Sequence, residues 1–105
     1  MFAWYYTTPQ SMQAFEALWT NRDGLTDKFV DYWDHTSAAF ANNKYVVGYD
    51  PLNEPFPGNV AGGLKGVKLL LPGHADEEHL APVYARLYDV YQKNDPGSVM
   101  WFEPT

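Results

Sequence analysis

At 105 residues the chain holds one small domain, or a piece of a larger one, and its 46% apolar content excludes a disordered polymer. A formal net charge of −6, with only seven Lys and Arg, excludes nucleic acid and an anionic membrane surface as partners, since both are bound through basic faces. Without cysteine there is no disulfide framework and no thiolate metal site, and no apolar run nears the roughly 20 residues that span a bilayer.

Aromatic residues reach 17%, with four Trp and eight Tyr; such side chains stack on the C–H faces of sugars and equally fill a core or an interface. Residues 1–6 lack the basic flank and apolar core of a signal peptide, and the Trp4-Tyr5-Tyr6 run within residues 1–8 reads as a strand tail or a packed loop. Thr8-Pro9 starts a helix, with Thr8 as N-cap and Pro9 at the first helical position. Met12, Phe15, Leu18 and Trp19 follow at helical spacing, and Asn21-Arg22-Asp23-Gly24 ends the element.

A second helix follows from the steps Leu25, Phe29, Trp33, Thr36 and Phe40, with Tyr32 alongside and Thr26 and Asp27 in its first turn. Asn42-Asn43 stops it. Residues 45–50 form a strand that is apolar on both faces, as a parallel strand covered on both sides should be. Residues 55–76 read as a long irregular loop, rich in Gly and Pro but carrying Leu64, Val67, Leu69, Leu70 and Leu71. A third helix runs over about residues 76–94 with Leu80, Val83, Tyr84, Leu87 and Tyr91 on one face; Pro82 makes it start late or kink. After the turn Asp95-Pro96-Gly97 comes a second apolar strand, residues 98–102, ending in Glu103-Pro104.

Strand, loop, helix, strand is a βαβ unit, and its parallel strands put Glu54 and Glu103 on one rim. A lone unit of this kind leaves a sheet face and its edges uncovered, which predicts an internal piece of a larger α/β barrel.

The first strand stops in Asp50-Pro51-Leu52-Asn53-Glu54-Pro55. Pro55 supplies no N–H and should push Glu54 into an extended conformation. A carboxylate at the C-terminal tip of a buried strand is where α/β barrels keep their acid–base groups. Glu54 is therefore a candidate general acid for a glycosidic oxygen, and then the base on the returning water, with Asn53 on a neighbouring substrate hydroxyl. The alternative is a turn in which both side chains cap nearby amides.

The run Val46-Val47-Gly48-Tyr49-Asp50-Pro51-Leu52-Asn53-Glu54-Pro55-Phe56-Pro57-Gly58 resembles the fourth-strand motif of glycoside hydrolase family 5, and more narrowly its endoglycoceramidase branch. Asn21-Arg22-Asp23-Gly24-Leu25-Thr26-Asp27-Lys28-Phe29-Val30 is similar to the segment leading into the helix before that strand. Leu70-Leu71-Pro72-Gly73-His74-Ala75-Asp76, with Leu80, Pro82 and Tyr84, resembles the loop and helix after it, and Phe102-Glu103-Pro104 the end of the fifth strand. The resemblance covers the chain from about Phe15 onward.

It implies a fragment, residues 1–105, of a single (β/α)₈ catalytic domain: a retaining hydrolase that cleaves the oligosaccharide–ceramide bond of glycosphingolipids. It assigns Glu54 as acid/base and Asn53 as its hydroxyl-binding neighbour, requires no cofactor and no metal, and gives the protein a glycolipid or oligosaccharide substrate. The family's nucleophile is a second Glu near the end of strand seven, outside this chain, so these residues alone are expected to be inactive. Family members are usually secreted or luminal. A cellulase- or mannanase-like β-glycanase is the alternative within the family, and a non-catalytic carbohydrate-binding domain the alternative outside it.

Glu103 matches the fifth strand rather than the seventh and is not assigned as nucleophile; it lines the pocket and bonds sugar or Glu54, or it pairs within the rim. Tyr49 and Asp50 sit below the rim as supports. His74, Asp76, Glu77, Glu78 and His79 invite a metal, but the five-residue spacing of the histidines suits no single helix face, and a solvated acidic helix start is the expected role. His35 should be exposed. The Leu64–Leu71 cluster either forms an apolar slot for a lipid aglycone, with transient contact to lipid, or covers core.

Overall fold

The computed structural model describes residues 3–105. The chain is mostly helical, with a small parallel sheet of two strands. A single helical turn, α1 (Ala3–Tyr6), stands where a strand tail or packed loop was expected; Met1 and Phe2 lie outside the described residues. The hydroxyls of Thr7 and Thr8 close this turn on the carbonyls of Trp4 and Tyr5 at 2.9 and 2.8 Å.

Helix α2 (Pro9–Trp19) begins as predicted: Thr8 Oγ1 accepts the N–H of Ser11 at 3.3 Å, and Pro9 fills a position whose N–H would be unpaired anyway. A 3₁₀ turn, Arg22–Gly24, leads into α3 (Leu25–Phe40). Thr26 does not cap α3. It is buried and its hydroxyl donates to the Leu18 carbonyl, stitching α2 to α3. The first turn is capped by Asn21, whose side chain accepts the Asp27 N–H at 3.1 Å and donates to the Asp27 carboxylate at 2.9 Å.

The buried seam of α3 runs through Phe29, Val30, Trp33 and Ser37; Leu25, Tyr32 and Phe40 of the predicted stripe are exposed. The face narrows because α3 packs chiefly on one partner, helix α5 (Ala81–Asn94). Ser37, fully buried, is small enough for close approach and keeps its hydroxyl bonded to the Trp33 carbonyl at 2.7 Å. Asp34 fixes the far end of the seam, accepting from Lys93 Nζ at 3.0 Å and Asn94 Nδ2 at 2.6 Å.

The predicted stripe is buried throughout: Leu80 at the end of the turn before α5, and Val83, Tyr84, Leu87 and Tyr91 on α5 itself. Full burial of a side chain such as Leu87 contributes roughly 1.5–3 kcal/mol. Pro82 is accommodated because a π turn, Asp76–Leu80, precedes α5, with the Ala81 N–H reaching back to the Asp76 carbonyl; the proline then lies in the first turn.

Strands β1 (Gly48–Tyr49) and β2 (Val99–Met100) pair in parallel, Gly48 opposite Val99 and Tyr49 opposite Met100, as the βαβ reading requires. Both are shorter than expected. The N–H groups of Tyr45 and Val46 are taken by Asn43, at 3.1 Å to its side chain and 2.9 Å to its carbonyl, and Pro51 has no N–H to continue the ladder. A Cβ at Gly48 would lie 1.9 Å from the Val99 carbonyl oxygen, so this register needs glycine. One face of the sheet packs on the helices through Tyr49 and Met100, whereas on the other face Val99 and Trp101, whose ring a Cβ at Gly48 would meet, are exposed, contrary to the expectation of two covered faces. The 55–76 stretch also contains a short helix, α4 (Gly63–Lys68), that its glycines concealed.

Candidate active site

Asn53 and Glu54 follow β1 by four and five residues and are both exposed at the C-terminal end of the sheet. Pro51 and Pro55, on either side of them, are buried and fix the turn. Glu54 is not extended. Its φ of +46° puts it in the left-handed region, which is unfavourable for a residue with a Cβ and is further crowded by the following proline. What holds it there is Glu103: the Glu54 N–H donates to Glu103 Oε2 at 2.6 Å, a charge-assisted bond joining the ends of β1 and β2. Glu103 thus meets the backbone of Glu54, a contact compatible with either role the sequence allowed it, lining the pocket or pairing within the rim. The Glu54 carboxylate makes no ion pair among the described residues.

Beneath this rim lies a buried tyrosine layer. Burial, reinforced by the charges of Asp50 and Glu103, pushes the Tyr84 hydroxyl up to about 12, and its ring packs edge-on against Phe102. Tyr91 is likewise pushed up, chiefly by burial, and stacks on Tyr49 at 4.8 Å. Tyr49 reaches away from the rim and donates to Asp95 Oδ2 at 2.9 Å, while Ser98 and Tyr49 hold the Asp95 carboxyl below the ordinary range. Tyr49 therefore supports the strand from below, whereas Asp50 is exposed.

Directly after Pro55 the loop is held by three side chains from elsewhere. Trp19 Nε1 donates to the Phe56 carbonyl at 3.0 Å, His79 Nδ1 lies 2.7 Å from the Pro57 carbonyl, and Glu16 Oε2 accepts the Asn59 N–H at 3.0 Å. The Trp19 and His79 rings stack with centroids 6.2 Å apart, and the Phe56 ring packs on Tyr6 and Phe15, each at 5.8 Å. Gly58, with φ +115°, sits among them; a Cβ there would come within 2.6 Å of Glu16 Oε2.

None of these contacts was read from the sequence. His79 was grouped with a solvated acidic helix start, yet it is 7% exposed and turned inward, while His74 pairs with Glu78 at 3.2 Å. The available signal was the helical spacing: His79 stands four residues before Val83, on the face of the stripe expected to be buried. His35 is exposed, as expected, with its Nδ1 against the Asp31 carbonyl. Of the leucine cluster only Leu69 is buried; Leu64, Leu70 and Leu71 are exposed.

An apolar groove of about 400 Å³ lies between α2 and α3, and a polar cavity of about 280 Å³ opens beside Glu16, Lys65 and His79. Neither contains Asn53, Glu54 or Glu103.

An endoglycoceramidase from Hydra vulgaris is 39% identical to this chain over 104 residues, 97% of the chain and 20% of the relative. A second, from Cyanea nozakii, is 37% identical over 103 residues, 96% of the chain and 20% of the relative. The chain is homologous to endoglycoceramidases. It spans about a fifth of the length of these curated relatives. The match takes in β1, the Asn53-Glu54 turn and the tyrosine-bearing face of α5. No family model matches the chain, and no solved structure does.

Proposed function

We propose that residues 1–105 are a segment of a single (β/α)₈ glycoside hydrolase domain that carries its general acid/base, Glu54, and cleaves the bond between oligosaccharide and ceramide. The observation that carries this reading is Glu54 itself: a carboxylate without an ion-pair partner among the described residues, at the C-terminal end of a parallel strand, in a costly left-handed conformation maintained by Glu103. The relatives named endoglycoceramidase supply the reaction. The exposed apolar side chains on one face of the sheet, Val99 and Trp101, support the larger barrel, since a face of this kind packs on further structure.

Glu54 transfers its carboxyl proton to the glycosidic oxygen as the C1–O bond breaks, and ceramide leaves as the alcohol. Its carboxylate then takes a proton from the water that releases the sugar. Asn53 binds a sugar hydroxyl beside the reacting carbon. Retention of configuration requires a second carboxyl roughly 5–5.5 Å away, from outside this chain. Glu103 is not given that role, because it matches the family's fifth strand rather than its seventh, where the nucleophile stands. The segment alone therefore has no nucleophile and no turnover. Two carboxylates suffice for this chemistry without a cofactor. Exposed Leu64, Leu70 and Leu71 provide apolar surface for the lipid portion.

The decisive experiment is Glu54→Ala in the full-length protein. Turnover of a glycosphingolipid should fall by about 10²–10⁴, the usual contribution of a positioned acid. On an aryl glycoside whose phenolate leaves unaided, azide should accelerate turnover by the variant and give the glycosyl azide. Wild-type activity in the variant would refute the assignment.

A further inference from the structure

Three backbone polar groups follow the proposed acid closely: the Phe56 and Pro57 carbonyls and the Asn59 N–H. Each is held by a side chain of another element, two of them the stacked rings of Trp19 and His79. A carbonyl only accepts, so the Pro57 contact places the His79 proton on Nδ1 and fixes the ring's tautomer. The Trp19 indole has one donor, and it is spent on Phe56.

His79 lies four residues before Val83, and Leu80 four before Tyr84, so both, 7% and 0% exposed, continue the buried face of α5 back to the loop, where His79 meets the Pro57 carbonyl. The turn that carries them, Asp76–Leu80, is a π turn. π turns are rare and recur at functional sites. Gly58 completes the fit, since a Cβ there would stand 3.3 Å from ring carbons of both His79 and Trp19.

We infer that the Trp19–His79 stack is a positioning device for Glu54, fixing the loop from its C-terminal side as Glu103 fixes it from the N–H side. A left-handed glutamate before proline relaxes unless both flanks are held, and the relaxed carboxyl no longer addresses the glycosidic oxygen. The inference rests on the reading of Glu54 as the acid.

The test uses the full-length protein and kcat/KM on two substrates with the same glycone. One is a glycosphingolipid, whose alkoxide leaves only when protonated. The other is a 2,4-dinitrophenyl glycoside, whose phenolate leaves unaided. His79→Leu should lower kcat/KM at least about tenfold on the glycolipid and less than about twofold on the aryl glycoside, a split that misplacement of an acid produces and general loss of structure does not. His79→Asn, which keeps a donor near Nδ1, should restore the glycolipid activity. Trp19→Phe, which keeps the ring and deletes the N–H, should reproduce the split and decides the question where His79→Leu does not fold. Equal losses on both substrates, or none, overturn the positioning role. Glu54→Ala run in parallel separates the two claims. If it shows the split and the clamp variants do not, only the clamp falls; if it loses both substrates equally, the reading of Glu54 falls and the clamp with it.

Discussion

Glu54 occupies a backbone conformation that its own sequence disfavours. A glutamate in the left-handed region costs on the order of 1–3 kcal/mol, and the proline after it adds to the crowding. The bond to Glu103 offsets that cost with a charged acceptor. Removing the acceptor should therefore release the turn. In the full-length protein, Glu103→Ala is expected to reduce kcat/KM on a glycolipid about tenfold or more, by misplacing the acid. Glu103→Gln keeps an oxygen that accepts the N–H and should recover most of that loss. Steady-state kinetics of the pair decide it: equal rates for Ala and wild type would remove Glu103 from the site. At this scale the sequence revealed which residues meet but not how. Asn-Glu-Pro announced a stopped strand with a carboxylate at its tip, because proline chemistry is local. The left-handed turn was hidden, because the group enforcing it lies far along the chain, at the end of another strand.

Among the elements, the stripe on α5 was legible in full, since a helix buried along one face repeats its apolar residues with the helical period. The stripe on α3 was only half legible. Aromatic spacing suggested a broad face, whereas the contact with α5 is narrow and turns on Ser37, a residue with no hydropathy signal. Ser37 donates to the Trp33 carbonyl and accepts from Asn94 Nδ2 at 3.0 Å, so it is both the smallest and the most bonded residue of the seam. Ser37→Val should force the helices apart and cost about 1–3 kcal/mol, as overpacking of a tight interface does. Ser37→Ala, which deletes only the hydroxyl, should cost about 1 kcal/mol. Urea midpoints of the two variants give the comparison; a valine variant as stable as the alanine one would mean the seam is looser than its geometry. Glycines masked the six-residue helix α4, and the apolar runs of the strands outlast their hydrogen bonds.

Across the molecule, part of the high aromatic content builds the core, where Trp19, Tyr49, Tyr84 and Tyr91 are buried together with Leu80, Val83 and Leu87, while Trp4, Tyr32, Tyr45 and Trp101 are exposed. That core makes folding sensitive to alkali, with a sign that follows from protonation. Tyr84 is moved from its ordinary 10.0 up to about 12, chiefly by burial and then by the charges of Asp50 and Glu103. Tyr91 and Tyr49 move in the same direction, again chiefly by burial. The unfolded chain therefore loses these protons at lower pH than the folded one. The stability they contribute is fully present below pH 10 and drains away as the pH rises towards 12. Acid acts through other groups. Asp34, held low by Asn94 and Lys93, and Asp95, held low by Ser98 and Tyr49, contribute stability that is present above the ordinary carboxylate range and is lost as the pH falls. Urea midpoints measured from neutral pH upward should be flat to about pH 10 and then fall. Tyr91→Phe isolates the cause, because the Tyr91 hydroxyl is buried without a hydrogen-bond partner among the described residues. Its removal should leave neutral stability unchanged or higher and flatten the alkaline fall, since phenylalanine has no proton to lose in either state. An alkaline fall as steep in Tyr91→Phe and Tyr84→Phe as in the parent would place its origin outside the tyrosine core.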